Sequence, residues 1–134
     1  AKKNKKKEVI CWGTGTPLRE FLYVDDLAEA CLFALDKWRT SQDNHRKDSK
    51  VDSLNWINIG SEFEISIKEL ALKISDIVGY KGKISWDKSK PDGTPRKKLD
   101  TSIINKLGWK AKTSLEDGIR RTLEDYTKLL ESIN

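Results

Sequence analysis

The sequence predicts an α/β chain built around one modest core. Two observations carry this. Short β-prone runs alternate with stretches whose apolar residues recur at helical spacing, and clusters of Gly, Pro, Ser and Asp separate them. A third sets the scale: 134 residues at 37% hydrophobic content support one small domain. The strands are few and short. A sheet of two or three of them would leave its edges and one helical face poorly covered, so the chain reads as a piece of something larger.

Glu8 to Trp12 is apolar and β-prone, and Gly13-Thr14-Gly15-Thr16-Pro17 ends it, which predicts a strand and a loop. Arg19 to Val24 alternates as a second short extended piece. Asp25 or Asp26 is then expected to cap a helix whose buried stripe is Leu27, Ala30, Cys31, Ala34, Leu35 and Trp38. Both aspartates also suit the positive end of the helix dipole. Arg39 to Ser53 is polar, charged and without periodicity, and reads as a long exposed, flexible loop. His45 lies in it and reads as plain surface.

Asn55 to Gly60, with Trp56, Ile57 and Ile59, predicts the next strand. Ser66 with Glu69 forms a capping box for a helix with the stripe Ile67, Leu70, Ala71, Ile74 and Val78, stopped by Gly79. Lys83 to Trp86 is a brief strand, and Lys88 to Lys98 a loop rich in turn formers. Asp100 caps a short helix over Thr101–Leu107, ended by Gly108. Ser114, with Asp117, starts the last helix, whose stripe runs Leu115, Ile119, Leu123, Tyr126, Leu130 and Ile133.

The net charge of +5 is unevenly spread. Lys2, Lys3, Lys5, Lys6 and Lys7 precede the first acid, and the remaining 21 basic residues are matched by 21 acidic ones. The body is neutral. The run over residues 1–7 therefore reads as a solvated basic tail or the frayed end of a helix, and no nucleic-acid partner is expected. It leads into no apolar segment, so no secretory signal is expected, and no run approaches the ~20 apolar residues of a membrane span. Cys11 and Cys31 sit among apolar neighbours with no C-x-x-C spacing. They read as small core residues in a reducing cytoplasm. One histidine and two scattered cysteines make no metal site.

Three constellations could carry chemistry. Gly13-Thr14-Gly15 follows a strand, but Pro17 and Leu18 replace the helix that G-x-G-x-x-G requires, so it is a turn beside a surface, not a cofactor loop. Trp12 and Arg19 could stack on a base and grip a diphosphate, since a guanidinium donates two parallel hydrogen bonds. They could equally be a core ring and a surface cation. In Lys90 to Lys98, two prolines restrict the backbone, Arg96, Lys97 and Lys98 could meet phosphate, and Asp92 could accept from sugar hydroxyls. The same loop could also be a solvated charged turn. No Tyr-x-x-x-Lys and no serine–histidine–acid set is found, and no paired carboxylates sit in a cleft-like pattern. On its residues alone, the chain is an anion-recognising α/β piece without a reaction centre.

Trp12-Gly13-Thr14-Gly15-Thr16-Pro17-Leu18-Arg19-Glu20-Phe21-Leu22-Tyr23-Val24-Asp25-Asp26-Leu27-Ala28 closely resembles a signature of the GDP-L-fucose synthases, members of the extended short-chain dehydrogenase/reductases. Lys90-Pro91-Asp92-Gly93-Thr94-Pro95-Arg96-Lys97 resembles a loop more specific to that family. Asn58-Ile59-Gly60 and Leu107-Gly108-Trp109 fall in family order. The resemblance implies that residues 1–134 are a C-terminal, mixed α/β substrate-binding domain, with elements that normally complete a Rossmann domain. The NADP-binding N-terminal Rossmann domain would be absent, and the lysine run would be the cut end of its last helix and the loop after it. It implies an enzyme that converts GDP-4-keto-6-deoxy-D-mannose to GDP-L-fucose by epimerising C3 and C5 and reducing C4 with NADPH, with its catalytic Ser, Tyr and Lys upstream of this chain. The full-length enzyme would be a cytoplasmic homodimer, and this piece alone inactive. By the same resemblance, Trp12, Arg19, Asp92 and Lys97 match substrate-binding positions, with Arg19 and Lys97 at the diphosphate. Tyr23 stands where relatives often carry histidine, and Lys98 where an apolar residue is common; neither is assigned a role.

Overall fold

The computed structural model describes residues 1–38 and 56–133. The order is β1 (Glu8–Trp12), β2 (Leu18–Glu20), α1 (Val24–Lys37), β3 (Glu64–Ser66), α2 (Ile67–Ile77), β4 (Lys83–Asp87), β5 (Arg96–Lys97), α3 (Ser102–Leu107) and α4 (Leu115–Ile133). The expected loop over 39–53, His45 and Asn55 lie outside the described residues. The fold is mixed α/β, as the alternation of patterns predicts.

The strands form two small sheets. β1 and β4 pair in parallel, in register from Glu8↔Lys83 to Trp12↔Asp87. β2 is the centre of the other, antiparallel to β3 and parallel to β5. Parallel pairs are normally buried on both faces. Here one face of β1 is open, with Ile10 63% and Trp12 73% exposed. The sequence predicts uncovered sheet edges and a helical face; the open surface seen here is a face of the sheet. Val9, Cys11 and Ile84 on the other face look across an apolar cavity of about 690 Å³ to Ile74 of α2 and to Leu123 and Tyr126 of α4.

The tight core is small: Ala30, Ile104 and Trp109, with Leu22, Phe33, Ile57, Ile59 and Ala111 packed on it. It rotates α1 away from its expected stripe. The buried row is Asp26, Ala30 and Ala34 at four-residue spacing, while Cys31 is exposed and Leu35 is 78% exposed. The reason lies at Asp26. It does not cap α1, whose N-cap is Tyr23 with no side-chain bond. Its buried carboxylate instead accepts from Lys112 N at 3.0 Å, Thr113 N at 2.8 Å and Thr113 Oγ1 at 2.9 Å. That anchor turns the alanine row inward, where small side chains let the helix approach Ile104 and Trp109 closely. Burial pushes the Asp26 pKa up, but the hydrogen bonds from Thr113 and Lys112 outweigh it and hold the carboxyl below its ordinary value. Both cysteines are free, and neither is the core residue expected: Cys11 is half-buried and Cys31 exposed.

Trp56 to Gly60 is not a strand. Ile57 and Ile59 pack on the core, as their bulk requires, but the segment joins no ladder. Asn58 Nδ2 instead donates to Asp100 O at 3.1 Å. The extended piece expected at Arg19–Val24 is displaced to Leu18–Glu20, and the sequence pattern did not show β3 or β5, which are two or three residues long. The Ser66–Glu69 capping box forms as expected, and Ser114 caps α4 by accepting from Asp117 N at 3.1 Å. Asp100 accepts from Ser102 N at 2.9 Å at the start of α3. The outer end of the α4 stripe stays open, with Ile133 exposed.

The lysine run is neither helical nor free. Residues 2–5 form a turn, and the segment lies against Tyr80 and Lys83.

Candidate functional site

The loop after β1 and the loop before β5 are clipped together. Gly13 N donates to Asp87 O at 2.9 Å and carries the β1–β4 ladder one residue further. Gly13 then turns at φ +78°, a conformation that L side chains resist. This aims Thr14 at Asp92. Thr14 N donates to Asp92 Oδ1 at 2.8 Å, and Thr14 Oγ1 donates to Asp92 Oδ2 at 2.6 Å. Since that hydroxyl proton is committed, the 2.7 Å contact between Thr14 Oγ1 and Thr16 Oγ1 has Thr16 as its donor. The hydrogen bonds from the Thr14 hydroxyl and backbone hold the Asp92 carboxyl below its usual range. The clip leaves no room for a side chain at Gly13, where a Cβ would lie 2.2 Å from Asp92 Oδ1.

Beyond the turn, the loop leans on α2: Gly15 O accepts from Lys68 N at 2.8 Å, and Pro17 O from Ile67 N at 3.1 Å. These bonds satisfy donors at the helix start that the helix itself leaves open. Leu18 N donates to Pro95 O at 2.9 Å and starts the β2–β5 pairing.

That pairing sets Arg19 opposite Lys97. Residues in register on neighbouring strands share a face. Two cations therefore stand side by side, and no described carboxylate pairs with either. Arg19 is half-buried and its Nη1 donates to Leu18 O at 2.6 Å. Gly93 passes directly over it: a Cβ on Gly93 would sit 3.0 Å from Arg19 Nη2. Asp92 is thus tied to Thr14 on one side, and its neighbour Gly93 lies on Arg19 on the other.

Arg96, the neighbour of Lys97 in β5, and Lys98, just after the strand, serve differently. Arg96 makes a bidentate pair with Glu64, Nε to Oε1 at 2.8 Å and Nη2 to Oε2 at 2.5 Å, and Lys98 Nζ lies 3.9 Å from Glu64 Oε2. The Arg96 hydrogen bond is the chief reason the Glu64 carboxyl is held below its usual range. Of the three cations expected near phosphate, Lys97 alone is unpaired among the described residues. Glu20 braces the same region by accepting from Glu62 N at 2.6 Å and Leu99 N at 3.1 Å.

Trp12, at the end of β1, has Lys90 over its ring, with the ammonium 5.7 Å from the centre of the indole. The four residues picked from the sequence therefore sit on β1, β2, β5 and the loop before β5. Thr14, Lys90, Glu20 and Glu64 were missed as their supports. A Thr between two glycines in a turn, and one acid in the short strand between turn and helix, are the signals they leave.

The sequence profile of the NAD dependent epimerase/dehydratase family matches residues 1–48. The GDP-L-fucose synthase 1 of Arabidopsis thaliana is 48% identical over 128 residues, 96% of this chain and 36% of that protein. The chain is a relative of the GDP-L-fucose synthases. It spans about a third of the length of the curated relatives it matches. A GDP-6-OMe-4-keto-L-xylo-heptose reductase of Campylobacter jejuni has the same fold, with a TM-score of 0.80 and 40% identity, over 92% of this chain and 34% of that one. A GDP-mannoheptose C4 reductase of the same organism, solved with NADP bound, matches with a TM-score of 0.73 and 38% identity, over 90% of this chain and 35% of that one. The resemblance to GDP-L-fucose synthases read from the two motifs thus extends over nearly the whole chain.

The glycine turn after β1 is not a dinucleotide loop. It runs through Pro17 into a strand, not into a helix whose free N–H groups could face a pyrophosphate, and Thr14 N is already bonded to Asp92.

Proposed function

We propose that this chain is the GDP-sugar-holding part of an enzyme like its GDP-L-fucose synthase relatives, and that it is inactive alone. The reading rests on one observation: Arg19 and Lys97 face each other in register with no described acid between them. Like charges placed directly opposite across a ladder are unfavourable. A diphosphate lying over both relieves that repulsion. The Arg19 fork donates two parallel hydrogen bonds and Lys97 adds a compact point charge. Exposed Trp12 offers a flat apolar face to a base or sugar, and the free lone pairs of Asp92 can accept from hydroxyls.

The chemistry belongs elsewhere in the longer protein. Conversion of GDP-4-keto-6-deoxy-D-mannose to GDP-L-fucose needs acid/base groups beside C3 and C5 and a hydride donor at C4. The set assembled here holds a substrate and supplies neither, so we place the NADP site and the catalytic residues in a Rossmann domain beyond residues 1–134. Exposed Ile10 on β1 supports such a neighbour. A cytoplasmic homodimer is part of the same proposal. Among the described residues, no helix is long and apolar enough to cross a membrane.

A second reading keeps the GDP moiety and changes the sugar: a GDP-heptose reductase is 40% identical to this chain, so the four site residues do not by themselves choose the hexose. Calorimetric titration with GDP-L-fucose, GDP-mannose and UDP-galactose tests both readings. Both GDP-sugars are expected to bind weakly, at least tenfold tighter than UDP-galactose, and no NADPH is oxidised. Equal affinity for UDP-galactose would overturn the assignment.

A further inference from the structure

The first seven residues build a feature that the proposed GDP-sugar site does not use. Their backbone curls on itself, with Lys5 N donating to Lys2 O and Lys6 N to Ala1 O, both at 3.0 Å. It is then pinned to the segment between α2 and β4. The Tyr80 hydroxyl donates to Lys6 O at 3.1 Å, and Lys83 N donates to Lys7 O at 2.8 Å. Gly82 permits this approach, since a Cβ there would lie 2.1 Å from Tyr80 Oη and 2.7 Å from Lys7 O.

The result is a concavity of about 470 Å³ walled by Lys2, Lys5, Lys6, Lys7, Lys81 and Lys83. Among the described residues, one of these six has an acidic partner: Lys83 lies 3.6 Å from Glu8. The other five are exposed and have no acidic partner among the described residues. Such crowding costs stability and raises the local concentration of anions. Without these six lysines the chain has 20 basic and 21 acidic residues, so its excess positive charge sits at this one place.

We propose that this pocket binds a compact, multivalent phosphate. The space is shallow and open to solvent, so recognition there would rest on charge. Lysines present mobile point charges, each with three donors, which suits phosphate oxygens in several orientations. A nucleic-acid strand is less well served. Strand binders combine cations with exposed rings on which bases stack. The one aromatic in this wall, Tyr80, is half-buried with its hydroxyl held by Lys6.

The test is titration of tripolyphosphate into the chain by calorimetry at 0.02 and 0.15 M salt. The pocket variant Lys5→Gln/Lys6→Gln/Lys81→Gln is compared with Lys68→Gln/Lys110→Gln/Lys128→Gln, which removes equal charge elsewhere. One saturable site is expected, weakened at least tenfold in the pocket variant and less than twofold in the other. GDP-L-fucose affinity should be unchanged in both, which separates this site from the nucleotide-sugar reading. If the triple pocket variant does not fold, each single change is expected to weaken tripolyphosphate binding two- to fourfold. Equal weakening in both triple variants, or unsaturable binding, would show a diffuse charge effect and overturn the proposal. So would tighter binding of a thymidine 20-mer than of tripolyphosphate at equal phosphate, in favour of a nucleic-acid surface.

Discussion

Gly13→Ala is the sharpest perturbation of the candidate site. Two separate terms oppose a methyl group there. The backbone at φ +78° costs an L-residue about 1–2 kcal/mol. The Cβ would also lie 2.2 Å from Asp92 Oδ1 and 3.1 Å from Asp92 Cγ, an overlap that overpacking data value at about 1–3 kcal/mol. Together they predict a loss of about 2–5 kcal/mol. The two terms separate experimentally. In an Asp92→Ala background both clashing atoms are gone, and the Cα of residue 92, at 3.5 Å, is an ordinary contact. There Gly13→Ala should cost only its backbone term. Gly108→Ala is the control: its φ is +107°, with nothing within 4 Å of a Cβ. The assay is urea unfolding followed by tryptophan fluorescence, with the four corners of the Gly13/Asp92 cycle and the Gly108 variant. A coupling of about 1–3 kcal/mol between positions 13 and 92 is expected. Additive effects, or a Gly13→Ala cost no greater than that of Gly108→Ala, would refute the clip as the reason for glycine.

Other outcomes follow from the same geometry. Both backbone N–H donors meet one oxygen, Asp26 Oδ2, so Asp26→Asn keeps an acceptor there and turns its NH2 to Thr113 Oγ1. It should cost about 1–2 kcal/mol for the exchange of charged for neutral hydrogen bonds. Because the folded Asp26 pKa lies below its unfolded value, its stabilising contribution is complete above the ordinary carboxylate range and disappears as pH falls through the folded pKa. Stability of the Asn variant should therefore fall less between pH 5 and pH 2, as measured by urea midpoints. Arg19→Ala should weaken GDP-L-fucose binding at least tenfold in calorimetry. Arg96→Ala, whose fork is occupied by Glu64, should change it less than twofold. A thiol reagent should modify exposed Cys31 several times faster than half-buried Cys11, with Cys31→Ser removing the fast phase of absorbance.

Much of the fold was legible wherever a local signal suffices. The Ser66–Glu69 box, the glycine stops and the β1 run are decided by residues within a few positions of one another. What the pattern missed was set at long range. The face that α1 buries follows from Asp26 reaching Thr113, and no periodicity within the helix encodes that. Trp56–Gly60 has the composition of a strand but no neighbour to pair with, whereas Arg96–Lys97 has a poor composition and becomes one because Pro95 meets Leu18. At the site, the residue types of Trp12, Arg19, Asp92 and Lys97 hinted at anion recognition. Their grouping needed Thr14 to clip Asp92 in place, and the charge of Arg96 was spent on Glu64, a partner no spacing rule would supply.

The three-stranded sheet has a consequence for how this chain assembles. Its central strand meets Ser66 on one side and Arg96 on the other, each across a long stretch of sequence, and every strand is only two or three residues long. Closing such distant loops for so few ladder bonds is a slow, entropy-limited event, so this sheet should join after the helices have formed. A ligand that bridges Arg19 and Lys97 acts on contacts absent from the folding transition state. It should therefore lengthen the life of the folded chain by slowing unfolding and leave the folding rate nearly untouched.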